Sequence, residues 1–227
     1  MFTLVLLRHG QSQWNVEQRF TGWAEPDLSE KGVAEARVAG QILAKSGFDF
    51  DLCFSSLHTR ALKTLDLTLE RLDRLWLPVE KHWCLNERHY GALTALYHAE
   101  VAAQYGEEQV HLWRRSFDVA PPPVEPGSRW DLSGDRRYFG IAIPRGESLK
   151  DTIARVLPYW QERIALEVKA GRRILVCGHG NSLRGLVKHL FRIPDEEIAG
   201  FELPTGKPII CELDGDLVGT RRYLLEQ

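Results

Sequence analysis

The chain has 227 residues, 44% of them hydrophobic, and a formal net charge of -2. That length and apolar fraction suffice for a sizeable core, and the near-neutral balance gives no global attraction to nucleic acid or anionic membranes. Any anionic ligand must therefore be held by locally placed arginine and lysine.

Residues 2–7 form an apolar run of strand length, cut off by Arg8, His9 and Gly10 in the stretch LLRHGQSQWN. The apolar stretch 4–7 is too short for a signal-peptide core or a membrane span, so a cytoplasmic location is expected. Ser29 caps a helix predicted to reach about residue 45, with Val33, Ala36, Ala39 and Leu43 at helical spacing. Residues 50–54 read as a strand, 59–72 as a helix and 79–85 as a weaker strand. Residues 88–147 lack sustained periodicity and hold aromatics, arginines and the run APPPVEPG. They read as a large insertion over the active edge of the sheet, within one domain spanning 1–227.

Ser148 and Asp151 have capping-box form, and Leu149, Ile153, Val156, Trp160 and Ile164 line one face of the helix that follows. Pro158 is expected to kink or locally break it. Residues 173–177 read as a strand, 182–191 as a helix, and 208–213 with 220–225 as a terminal hairpin around DGDL or a strand with a turn. Cys53, Cys84, Cys177 and Cys211 form no C-x-x-C pair and are expected to be buried, reduced thiols. Strands alternating with helices imply an α/β fold with a mostly parallel sheet.

Two strands end alike. LLRHGQSQWN leaves its strand through His9, Gly10 and Ser12; VCGHGNSLRG does so through His179, Gly180 and Ser182. If the strands are parallel, both histidines emerge at the sheet edge where ligands of open α/β folds sit. The glycines let backbone approach a ligand. Asn181 and Ser182 begin one helix and Arg60 lies near the start of another; helix N-termini offer free N–H groups to an anion. Two histidines, Arg8, Arg60 and two helix starts can thus converge on one phosphoryl group. Singly, each feature also fits an ordinary turn or a solvated charge. Glu87, after a candidate strand, fits a surface charge or a proton carrier. Arg114 and Arg115 fit an anion clamp or a solvated edge. His9, His179 and Glu87 also make a two-histidine, one-carboxylate metal set. Positive charge from Arg8 and Arg60, and the lack of a local H-x-x-x-H or H-x-x-E pair, weigh against a metal.

LLRHGQSQWN resembles the signature of the histidine phosphatase superfamily, in which RHG carries the phosphorylated histidine. RFTGWAEPDLSEKG, SSLHTRALKTL, WCLNERHYGALT, GEEQVHLWRRSFDVAPPP, DRRY, ESLKDTIARVLPYW, GHGNSLRGLVKHL and LPTGKPIICELD resemble the cofactor-dependent phosphoglycerate mutase family, in order along nearly the whole chain. The resemblance implies a three-layer α/β/α sandwich. It implies interconversion of 3-phosphoglycerate and 2-phosphoglycerate in glycolysis and gluconeogenesis, primed by 2,3-bisphosphoglycerate and without metal. It also implies a homodimer or homotetramer. Residue by residue, His9 matches the phosphoacceptor, Glu87 the proton donor and His179 the second histidine of the phosphate pocket. Arg8, Asn15, Arg60 and Asn181 match phosphate contacts; Thr21, Gly22, Tyr90, Arg114, Arg115 and Gly180 match substrate contacts.

The chain departs from the family where a lysine usually follows the GLT-like turn. Tyr97 and His98 stand there, so His98 is expected to contact substrate with weaker or more pH-dependent affinity. The segment 126–147 is shorter than in many relatives. The chain stops soon after its last strand, without the tail that covers the site in some mutases, which bears on the mutase-to-phosphatase ratio. A phosphatase with the same phosphohistidine is the alternative activity, and a phospho-ligand binding module without catalysis is the alternative class.

The chemistry sets further expectations. The attacking imidazole must be neutral, which Arg8 and Arg60 favour, and its second nitrogen needs an acceptor such as a backbone carbonyl. Arg8, Arg60, Asn181 and a protonated His179 would stabilise the charge of the transferring group. Glu87 would exchange a proton with the substrate hydroxyl. The aromatic insertion would exclude water.

Overall fold

The structure, a computed structural model, describes residues 1–226. β1 (Phe2–Arg8) alternates as a strand must: Leu4 and Leu6 enter one apolar cluster, Val5 and Leu7 another. A short helix, α1 (Gln13–Val16), is closed by a capping box between Ser12 and Asn15. α2 (Glu30–Lys45) begins at the expected cap, where the Ser29 side chain accepts from the Gly32 amide. β2 (Leu52–Ser55) and α3 (Thr59–Leu72) follow close to their expected bounds.

β3 is only Val79–Lys81; the rest of the expected strand becomes a 3-10 turn, Trp83–Leu85, where His82 Nδ1 accepts from the Cys84 amide. Two helices then appear that the periodicity did not disclose, α4 (His98–Tyr105) and α5 (Glu107–Arg115). Eight and nine residues are too few for a clear apolar stripe to stand out. They gather a satellite cluster of Phe20, Leu93, Val101, Val110 and Trp113.

α6 (Leu149–Tyr159) opens on the expected capping box of Ser148 and Asp151. Pro158 does not end the helix. The chain widens into a π turn at Trp160–Ile164 and continues as α7 (Ala165–Lys169), so the expected irregularity falls just downstream of the proline. β4 (Ile174–Gly178), α8 (Gly180–Leu190), β5 (Pro208–Leu213) and β6 (Gly219–Leu224) complete the order.

The sheet runs β3-β2-β4-β1-β5-β6. β3, β2, β4 and β1 are mutually parallel, while β5 and β6 add an antiparallel hairpin at the β1 edge. Apolar residues of α6, α7 and α8 pack on one face with Leu4, Leu6 and Phe54; those of α2 and α3 pack on the other with Val5, Leu7 and Cys53. The architecture is therefore a three-layer α/β/α sandwich with a mostly parallel sheet. All four cysteines are free and buried, and no helix among the described residues is long and apolar enough to cross a membrane.

This topology answers why two strands end alike. β1 and β4 are neighbours, in register with Arg8 opposite Gly178. The His9 amide donates to the Gly178 carbonyl at 3.0 Å, extending the ladder by one residue. Both histidines therefore leave the same sheet edge side by side, with ring centroids 5.0 Å apart.

Candidate active site

His9 is only 3% exposed, and its Nδ1 lies 2.7 Å from the Gly10 carbonyl oxygen. A carbonyl only accepts, so Nδ1 carries the proton and Nε2 keeps its lone pair. Burial, then Arg60, then Arg8 push the His9 pKa well below the usual histidine range, so the ring is neutral. The expected carbonyl partner and the expected neutral imidazole are both present. The ring is not, however, the exposed strand end that its position after β1 suggests.

The expectation of a protonated His179 is corrected. Burial first, then Arg60, His58, His9 and Arg8, hold His179 well below the usual range and neutral. Its tautomer follows from Ser56, whose hydroxyl accepts from the His58 amide at 3.2 Å and lies 2.7 Å from His179 Nε2. The hydroxyl has one proton to give, and His179 Nε2 is its one available acceptor among the described residues. Ser56 therefore donates to Nε2, and Nδ1 of His179 carries the proton with no partner. His179 thus still offers a hydrogen-bond donor, but an uncharged one.

The glycines of the two motifs do different work. A Cβ on Gly10 would lie 2.8 Å from the Gly32 carbonyl carbon, so Gly10 is bare to let α2 approach. A Cβ on Gly180 would sit 3.5 Å from the Arg8 guanidinium carbon and 3.6 Å from Glu87 Oε2, so only Gly180 keeps backbone open toward the site.

Glu87 is held by backbone. Its Oε1 accepts from the Arg88 amide at 2.7 Å and the Asn181 amide at 3.1 Å, at the start of α8. Its carbonyl accepts from Trp23 Nε1 at 2.5 Å and Arg155 Nη2 at 2.9 Å. Arg155 is itself buried and paired with Glu147 at 2.7 Å, and its Nη1 reaches the carbonyls of Cys84 and Asn86. Such a buried pair earns its place by orientation more than by net stability. It ties α6 to the turn that carries Glu87, a link between residues far apart in sequence.

Arg60 is fully buried and fixed by the Ala24 and Gly22 carbonyls at 2.7 and 2.9 Å, which leaves its Nε without a partner. Burial lowers its pKa to about 10, so it stays charged at neutral pH. Arg8 gives Nη1 to the Leu203 carbonyl at 2.6 Å, and its Nε is likewise unpartnered. Buried donors are almost always satisfied. Four unpartnered ones among the described residues, Arg8 Nε, Arg60 Nε, Arg184 Nε and His179 Nδ1, gather at this edge and describe a socket for an anion.

A cavity of about 150 Å³ opens here. Of the residues expected at the site, Arg8, His9, Asn15, Thr21, Arg60, Glu87, Tyr90, His98, Arg114, Arg115, Gly180 and Asn181 line it. His179 packs beside His9 without lining the cavity, and Gly22 acts through its carbonyl on Arg60 instead of lining it. Sequence reasoning missed Arg19, Phe20, Arg184, Glu202 and Leu203, which also line it. A signal existed for Arg184: it stands three residues after Asn181 on α8, on the same helical face, and donates to Asn181 Oδ1 at 3.2 Å. Segment 88–147 divides. Tyr90, His98, Arg114 and Arg115 reach the cavity, whereas no residue of 116–147 lines it. Tyr138 instead packs on Trp23, and Arg137 pairs with Glu25, whose other oxygen accepts the Thr59 amide ahead of Arg60. Among the described residues no three histidine, cysteine, aspartate or glutamate side chains are grouped as a metal centre needs.

His98 stacks edge-on against Phe20 with ring centroids 4.6 Å apart. Burial, then Arg114 and Arg115, push its pKa down to about 4. The expectation that it titrates near neutrality is therefore corrected: it is uncharged throughout pH 6 to 8. His98→Lys adds a cation to the cavity wall over that whole range. We expect the KM for a phosphorylated acid to fall by about 2- to 5-fold, the range of a partly solvated ion pair. The gain should be even across pH 6 to 8; a gain that grows with pH would show that His98 is charged at the acid end.

The chain matches known proteins along its length. The model of the histidine phosphatase superfamily (branch 1) matches residues 4–136 and 128–223. A Zymomonas mobilis protein named 2,3-bisphosphoglycerate-dependent phosphoglycerate mutase is 63% identical over 227 residues, 100% of each chain. A Sphingopyxis alaskensis protein of the same name is 60% identical over 224 residues, 99% of this chain and 98% of the relative. Among solved structures, a mycobacterial glucosyl-3-phosphoglycerate phosphatase in complex with VO3 is similar, with a TM-score of 0.76 and 26% identity. The similarity covers 100% of this chain and 99% of that one.

Proposed function

The chain belongs to the histidine phosphatase superfamily, and we propose from its site and its relatives that it is an enzyme interconverting 3-phosphoglycerate and 2-phosphoglycerate. The reaction runs through a phosphohistidine on His9 and belongs to glycolysis and gluconeogenesis. One observation carries the phosphoryl-transfer reading: a neutral imidazole with a bare Nε2 stands among buried donors that have no protein partner. Full-length relatives that bear the mutase name support the substrate.

Bound at the site, 2,3-bisphosphoglycerate supplies the phosphoryl group that primes His9. Its two phosphates and carboxylate suit a cavity lined by Arg8, Arg60, Arg114, Arg115 and Arg184. From the primed enzyme, the free hydroxyl oxygen of the bound monophosphoglycerate attacks phosphorus, Glu87 takes its proton, and the nitrogen–phosphorus bond breaks to restore neutral His9. In the return step His9 Nε2 forms a bond to the other phosphorus as its phosphorus–oxygen bond breaks, and Glu87 gives the leaving oxygen its proton. Negative charge gathers on the equatorial oxygens, where Arg8, Arg60 and the His179 Nδ1–H donate. The donors are fixed before the substrate arrives, so little reorganisation opposes the transfer. Phe20 and Tyr90 in the wall limit water, which would otherwise take the phosphoryl group. The reading carries a cytoplasmic location with it, in keeping with four unpaired cysteines.

The test is an isomerisation assay after exhaustive chelation, with and without 2,3-bisphosphoglycerate, with free phosphate measured in parallel. Activity should survive chelation, because fixed arginines supply the charge that a metal otherwise provides. It should require bisphosphoglycerate once the enzyme is dephosphorylated, and isomerisation should outpace phosphate release. Phosphate release without isomerisation would make the protein a phosphatase. Activity lost on chelation and restored by metal would overturn the mechanism.

A further inference from the structure

The segment 198–203, of which Glu202 and Leu203 line the cavity, holds neighbouring arginines in two ways. Backbone carbonyls hold two of them: Leu203 accepts from Arg8 at 2.6 Å, and Ile198 accepts from Arg184 at 2.6 Å. Arg115 is held differently. Its guanidinium pairs with the side chain of Glu202, and that is its one acceptor among the described residues. A peptide carbonyl is neutral and fixed. A glutamate carboxylate is an anion on rotatable bonds.

Glu202 and Glu87 are the two carboxylates among the described residues that line the cavity. Glu87 is locked by two backbone amides. Among the described residues Glu202 has no hydrogen bond or ion pair beyond Arg115, although its charge also reaches Arg8 and Arg114; its side chain is 66% exposed and that of Arg115 is 28% exposed. A pair this open to water is weak, so an incoming anion can displace the carboxylate into solvent at little cost. The deep donors at Arg8, Arg60 and His179 need no such exchange.

We infer that Glu202 is a specificity-determining residue, a built-in anion that occupies Arg115 until a second anionic group of the ligand displaces it. The inference deepens the mutase reading and rests on it. A ligand with a single anionic group settles at the deep donors and leaves the Glu202–Arg115 pair closed. A ligand with a phosphoryl group and a second anion, as in a phosphorylated hydroxy acid, must open it. Glu202 thereby weakens the grip on the distal anion. That favours release and turning of a ligand whose phosphates must exchange positions.

The experiment compares two unreactive probes by calorimetry: 3-phosphonopropanoate, with a phosphonate and a carboxylate, and methylphosphonate, with the phosphonate alone. Glu202→Gln keeps the shape and removes the charge. It should lower the dissociation constant of 3-phosphonopropanoate by about 2- to 5-fold. That of methylphosphonate should change by less than about twofold, since Glu202 bonds to none of the deep donors and is the weakest of the charges acting on Arg8. Unchanged affinity for both probes, equal tightening of both, or weaker binding of 3-phosphonopropanoate would each overturn the inference. The mutase reading fails separately, by absence of isomerisation in the unaltered protein.

Discussion

Replacing His9 by alanine is expected to abolish phosphoenzyme formation and to lower isomerisation by at least about 10⁴-fold, the scale seen when a covalent nucleophile is removed. No other group at this edge can take the role. His179 is neutral, but its Nε2 is engaged by Ser56 and its Nδ1 carries the proton. His58 lies behind it, with Nδ1 turned to Arg60 at 3.3 Å. The fold should survive, because among the described residues the His9 side chain hydrogen-bonds only to the adjacent Gly10 carbonyl, and it borders the cavity. The measurement is acid-labile, alkali-stable label from phosphorylated substrate, alongside turnover and a thermal melt. Substantial turnover in a folded variant would remove His9 from the mechanism.

Glu87→Gln should lower turnover by roughly 10²–10⁴-fold, the usual contribution of a placed general acid–base group. The substitution is close to isosteric. A glutamine oxygen can still accept from the Arg88 and Asn181 amides, as Glu87 Oε1 does. The amide nitrogen then occupies the Oε2 position, near Gly180, where it can neither give nor take the required proton. The loss should therefore fall on kcat, with KM changed little. A change confined to KM would make Glu87 a binding residue and would move proton transfer elsewhere.

The amino-acid sequence by itself determined most of the frame. The Ser29 and Ser148 caps, the alternation of β1 and the terminal hairpin are written locally, in periods of two or 3.6 and in side chains that satisfy nearby amides. The paired His-Gly stretches marked the functional edge, because each ends an apolar strand in residues that no core requires. Helices α4 and α5 were not legible: each is short, and their apolar residues face a small cluster completed by Phe20, far away in the chain.

Tertiary structure alone decided the chemistry of the site. The Arg8–Gly178 register sets His9 beside His179 in the interior, and burial first, then Arg60, keeps both rings neutral. Ser56 fixes the His179 tautomer, and nothing near Ser56 in sequence announces it. Arg19 and Leu203 open motifs that did not single them out as cavity residues, and Glu202 joins the cavity from a loop position outside any motif. Burial and electrostatic potential are sums over neighbours in space. Most of those neighbours are distant in the chain, so local pattern shows which residues are capable of the chemistry and only the fold assigns their charge, proton and partner.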